Sequence, residues 1–136
     1  MRTRSLFFWG GYNMDLSSAI LNLKKEPGFC EKVGMILIHN GVVRGISKNG
    51  SKVKKLKVVV SEEKIREIVS KYEKHDGIFK ILVEARGGEF IPGEDLLWII
   101  VAGDFRENVK KVLSRVLEEI KTRAIEKKEF LKEISD

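Results

Sequence analysis

Six aliphatic residues, Val109, Val112, Leu113, Val116, Leu117 and Ile120, recur at steps of three and four in the last third of the chain. Such steps put all six on one side of an α-helix. An apolar stripe that long has to be covered, and the rest of the sequence offers strands to cover it. Residues 33–43 are dense in Ile, Leu, Met and Val and read as a mostly buried strand. Asn49-Gly50 is a strong hairpin signal, and residues 53–60 supply the returning strand. Two more strands fall near residues 79–85 and 96–102, joined by a loop that contains Gly87-Gly88 and Pro92-Gly93.

Two shorter helices fit between these elements. Asp15 can cap a small helix with Leu16, Ala19, Ile20 and Leu23 on one face, ended by Glu26-Pro27-Gly28. Ser61, followed by Glu62 and Glu63, reads as an N-cap with acids in the first turn, where the helix dipole favours them. Ile65, Ile68, Val69 and Tyr72 continue at helical spacing, and Gly77 is placed to stop that helix. Strands and helices are mixed around an evident hairpin, which predicts an α+β fold rather than a doubly wound parallel sheet. No repeat, low-complexity tract or linker divides residues 1–136, so a single domain is expected.

Apolar residues make up 43% of the chain and charged ones 34%, a balance that fits a globular protein and excludes a disordered one. The lone cysteine, Cys30, excludes an internal disulfide framework and fits a reducing compartment. Leu6-Phe7-Phe8-Trp9 is interrupted by Gly10-Gly11 and is too short for a signal sequence. It reads instead as a strand, buried or pairing at a subunit edge. No run reaches membrane-spanning length, and a cytoplasmic location is expected. The net charge of +6 raises nucleic acid as a partner, but no aromatic residues interleave the basic ones to stack bases. Solvated helix faces, or a positive pocket for a small anion, account for the lysines better.

The inventory of reactive side chains is thin. His39, His75 and Cys30 show no metal-ligand spacing, and no metal or cofactor is expected. No glycine pattern forms a phosphate-cradling loop, and there is no nucleophile elbow. Glu94 and Asp95 follow a Pro-Gly turn, where acids are ordinarily solvated. Two basic features remain. Gly103-Asp104-Phe105-Arg106 closes a strand and opens the long helix, and a cation beside a helix N-terminus can form an anion pocket or pair with Asp104 or Glu107. Further on, helical periodicity puts Lys121 and Lys128 two turns apart on one side.

The order and spacing of these pieces resemble the large, catalytic subunit of molybdopterin synthase across roughly residues 33–130. The family's strand that starts with Gly and ends in Gly-x-Val-Arg is matched by Gly34-Met-Ile-Leu-Ile-His-Asn-Gly41-Val-Val43-Arg44. Its Gly-Glu-x-x-Pro-Gly-Asp/Glu turn is matched by Gly88-Glu89-Phe90-Ile91-Pro92-Gly93-Glu94. Arg106 matches the arginine that opens the last helix. The stretch Lys-x-x-x-Pro-x-Trp-Lys aligns without a gap on Lys121 to Lys128.

The resemblance implies a hammerhead-like α+β fold with antiparallel strands and a long C-terminal helix. It implies a homodimer that carries two ubiquitin-like small subunits, each ending in Gly-Gly with a C-terminal thiocarboxylate. The family transfers that sulfur to cyclic pyranopterin monophosphate, an anionic pterin, to make molybdopterin. On that resemblance Lys121 is the catalytic lysine, Lys128 the second functional lysine, and Arg44 and Arg106 are substrate-binding residues of the anion pocket.

Departures from the pattern also stand in the sequence. Phe105 occupies the position of a family histidine, and the aromatic expected near Val58 to Val60 is absent. Ile125-Glu126-Lys127 replaces Pro-x-Trp, which removes a rigid turn and an aromatic wall. Without that proline the last helix is expected to run on and take Lys128 out of Lys121's pocket. Such changes also fit a second reading, a non-catalytic relative that keeps the dimer scaffold and binds a ubiquitin-like partner.

Overall fold

In a computed structural model, residues 15–133 are described. The expected strand at residues 6–9 lies outside them. The chain forms α1 (Leu16–Lys24), α2 (Phe29–Lys32), β1 (Met35–Val42), β2 (Val53–Val60), α3 (Glu62–Glu73) and β3 (Ile78–Ala85). These are followed by β4 (Gly88–Phe90), β5 (Asp95–Gly103), α4 (Arg106–Glu119), a π-helical turn (Ile120–Ala124) and β6 (Ile125–Leu131).

The strands form two antiparallel three-stranded sheets, ordered β1-β5-β3 and β4-β2-β6. The central strand β5 is buried on both faces, which is why its sequence is an almost unbroken apolar run. Ile99 and Val101 join the main core with Val109, Val112, Val116 and Ile120 of α4 and its following turn. Ile100 and Ala102 face the other way, onto Ala19 and Leu23 of α1. Each fully buried aliphatic side chain here contributes about 1.5–3 kcal/mol by leaving water.

Both expected caps form. Asp15 accepts a hydrogen bond from the Ser18 amide at 3.2 Å, and Ser61 accepts one from the Lys64 amide at 3.3 Å. Gly77 has φ +81, and a Cβ there would come within 2.3 Å of Asp104 Oδ1 and 2.2 Å of Asn108 Nδ2. Only glycine lets the end of the α3–β3 connection lie against the start of α4.

Two expectations are corrected. Asn49-Gly50 does make a tight turn, with the Gly50 amide donating to the Ser47 carbonyl at 3.0 Å. The strands on either side do not form the expected hairpin, however. Beyond one bridge between Ile46 and Lys52 they separate, β1 pairing with β5 and β2 with β4 and β6. Each long strand finds a better-matched neighbour elsewhere, so the local turn signal is overridden by sheet partners distant in sequence.

The second correction concerns the last helix. It does not run on past the missing proline but ends at Glu119, passes through the π turn and becomes β6. Its termination is tertiary. The Ala124 carbonyl accepts from the Ser61 amide at 2.8 Å, Ile125 is extended (φ -126, ψ 131), and Ile125 pairs with Val60 to begin the β2–β6 ladder.

Candidate functional site

The place where β1 leaves one sheet and β2 enters the other is a gap between the two sheets. A cavity of about 750 Å³ fills it. Val43, Val53, Leu56 and Leu96 form its apolar floor. Arg44, Lys48, Lys121 and Lys127 surround it with four cations, against one carboxylate, Glu129. A smaller hollow of about 40 Å³ adjoins it, again bounded by Lys121 and Lys127 and closed by Gly41 and Leu97. Among the described residues no three His, Cys, Asp or Glu side chains gather as a metal site.

Lys121 is held by the geometry of the π turn. Within that turn Arg123 donates to Glu119 at 2.8 Å and reaches Glu67 of α3 at 3.4 Å. Glu119 also accepts from Lys71 at 2.7 and 2.9 Å and from the Tyr72 hydroxyl. Lys71, then Tyr72 and Arg123, hold the Glu119 carboxyl down to about 2, so it stays ionised across the neutral range. This clamp fastens the turn to α3, while buried Ile120 and Ala124 anchor it in the core. A π turn inserted at the end of an α-helix is a recurrent way to re-aim a functional side chain.

Of the residues expected at the site, Lys121 and Arg44 meet in this cavity. Lys128 does not. It sits on β6 opposite Lys57, and its ammonium lies 5.3 Å from the centre of the Phe130 ring. Side chains of a strand alternate between faces, so its neighbour Lys127 is the one that lines the cavity. The helical spacing of Lys121 and Lys128 is therefore replaced by a turn and a strand, and the parity of the strand selects Lys127.

Arg106 is at the opposite end of α4. Fifteen residues at 1.5 Å each put it about 22 Å along the helix from Lys121. Neither does Asp104 pair with it; its carboxylate accepts from the Asn108 side chain at 2.9 Å and from the Phe105 amide, and the Asn108 bond first, then that of Phe105, lowers its pKa. Phe105 stands beside it, 68% exposed.

Lys48, Lys127 and His39 were not legible as site residues. His39 projects from β1 beside the lysines, with its Nε2 buried and without a protein hydrogen-bond partner among the described residues. Gly41 makes room for the ring, since a Cβ there would stand 3.2 Å from Nε2. Burial first, and then the charges of Lys121 and Lys127, push the imidazole below its ordinary value of 6.5. The folded protein therefore binds fewer protons at His39 than the unfolded chain does. That stabilisation of the fold is complete above about pH 6.5 and is lost as pH falls through the depressed value. We predict that His39→Leu flattens the fall in melting temperature between pH 7 and 5 relative to the wild type. Parallel melting curves across that range would exclude a buried neutral imidazole.

A hammerhead-like α+β fold with a basic cavity between its two sheets defines the class. The sequence matches the family described as MoaE protein over residues 13–123. Three solved structures share the fold. Molybdopterin synthase from Staphylococcus aureus is 24% identical, with a TM-score of 0.65 over 74% of this chain and 76% of that one. Molybdopterin cofactor biosynthesis protein E from Burkholderia multivorans is 18% identical, with a TM-score of 0.69 over 88% and 86%. A complex of subunits 1 and 2 of molybdopterin-converting factor from Helicobacter pylori contains a chain 18% identical, with a TM-score of 0.63 over 87% and 80%. No curated protein matches the sequence significantly. The chain belongs to the MoaE family, the large subunits of molybdopterin synthase, and so to molybdenum cofactor biosynthesis.

Proposed function

We propose that this chain, acting as one domain, is the sulfur-transferring large subunit of a molybdopterin synthase. Its substrate is cyclic pyranopterin monophosphate, and its sulfur donor is the thiocarboxylate on the Gly-Gly tail of a ubiquitin-like small subunit. The observation that carries this reading is the cavity with four cations and one carboxylate at the end of α4. Its volume suits a pterin-sized ligand, and its charge suits a phosphate.

In this reading the Lys121 ammonium orients the incoming thiocarboxylate and shuttles protons. The Arg44 guanidinium offers a fork of donors to the phosphate. The positive surround stabilises negative charge that develops as sulfur adds to the attacked carbon. Arg106, about 22 Å from Lys121 along α4, can take part only if a second copy presents it, which a homodimer would allow. The chemistry needs no metal or cofactor on this chain.

The test is a transfer assay with cyclic pyranopterin monophosphate and thiocarboxylated small subunit from the same source, scored by dithiolene formed. Product from the wild type supports the reading. Tight binding of the small subunit with no product would replace it with the non-catalytic scaffold, a reading that the exposed Phe105 in the histidine position favours.

A further inference from the structure

The family pattern assigns a function to Lys128, but the backbone turns a different lysine toward the cavity. We infer that Lys127, which stands where the family motif carries tryptophan, is the second substrate-binding cation of this cavity and holds the pterin phosphate together with Arg44. The inference rests on the sulfur-transfer reading for the identity of the ligand.

Three independent features support it. Lys127 borders both the large cavity and the small hollow beside it, and Lys121 borders both as well. Lys128 occupies the other face of β6, where it lies over Phe130 alongside Lys55, whose ammonium is 5.0 Å from the same ring. The register leaves no slack, because β2 pairs with β6 continuously from Leu56↔Glu129 to Val60↔Ile125. Turning Lys128 inward would require every one of those pairs to slip by one residue.

The setting of Lys127 is that of a ligand-binding amine. Burial, then the charges of Lys121 and Arg44, lower its pKa, and Glu129 on the same strand opposes them. The other titratable groups facing it are His39 of β1 and Lys48 of the turn before β2. With cations on three sides and one carboxylate, the ammonium gains a strong partner when an anion enters. As pH rises and Lys127 gives up its proton ahead of an ordinary lysine, affinity for the anion should decline.

The experiment is calorimetric titration of cyclic pyranopterin monophosphate into the wild type, Lys127→Ala, Lys127→Arg and Lys128→Ala, after matching their melting temperatures. Loss of one charged hydrogen bond corresponds to roughly tenfold to hundredfold weaker binding, expected for Lys127→Ala. Lys127→Arg should recover most of the affinity and extend it to higher pH, since guanidinium does not deprotonate. Lys128→Ala should bind as the wild type does. Wild-type affinity in Lys127→Ala together with loss in Lys128→Ala would overturn the inference and leave the sulfur-transfer reading standing. A wild type that binds no pterin would overturn both.

Discussion

Lys121→Ala is expected to lower sulfur transfer by about two to four orders of magnitude, the range spanned by a positioned acid–base group. The side chain is exposed at the rim of the cavity and takes part in none of the clamp contacts that fasten its turn. Its removal should therefore leave the melting temperature and the affinity for the small subunit unchanged. That combination separates loss of chemistry from loss of docking. Lys121→Arg keeps the charge but cannot release a proton, so it should bind pterin and still turn over slowly. Full activity in Lys121→Ala would remove the centre of the proposed mechanism.

Ile120→Ala is expected to produce the largest loss of stability, about 2–5 kcal/mol, as for other fully buried large aliphatic residues. Ile120 is 0% exposed and packs at the junction of α4 with the π turn, in the same cluster as Val112, Val116 and Ile99. The turn that begins with it packs against α3, α4 and β6, which limit collapse into the vacated space. Denaturant unfolding should show a lower midpoint with an unchanged slope. A change in slope instead would mean that the turn had detached and that the folded state itself had loosened.

Much of the framework could be read from the residues. The stripe on α4, the caps at Asp15 and Ser61 and the aliphatic runs of β1, β3 and β5 are local signals strong enough to fix an element. Sheet assignment was another matter. Asn49-Gly50 specifies a turn, but whether two strands stay paired beyond it depends on competitors such as β5 and β6 that the turn cannot sense. β6 itself went unread because Ile125 and Phe130, its half-buried apolar residues, have opposite parity and leave no period-two pattern. It is a strand because β2 needs a partner.

The same cause hid half of the candidate site. Arg44 and Lys121 are legible as candidates because the family motifs that hold them keep a basic residue at those positions, and both line the cavity. Lys127 carries no local sign of its role; a lysine between a glutamate and another lysine looks solvated from sequence alone. His39 shows no metal-ligand spacing, a criterion blind to an imidazole placed by Gly41 two residues along the same strand.

The π turn also acts as a phase setter for everything that follows it. Because β6 reads out its side chains with a period of two, the number of residues spent between α4 and Ile125 decides which half of the strand's sequence meets the ligand. Removing one residue from the turn would exchange odd for even. Lys128 would then face the cavity and Lys127 the solvent, with the composition of the strand untouched. In such a segment a column of aligned lysines identifies the residue type, and the length of the turn before it identifies the residue that acts.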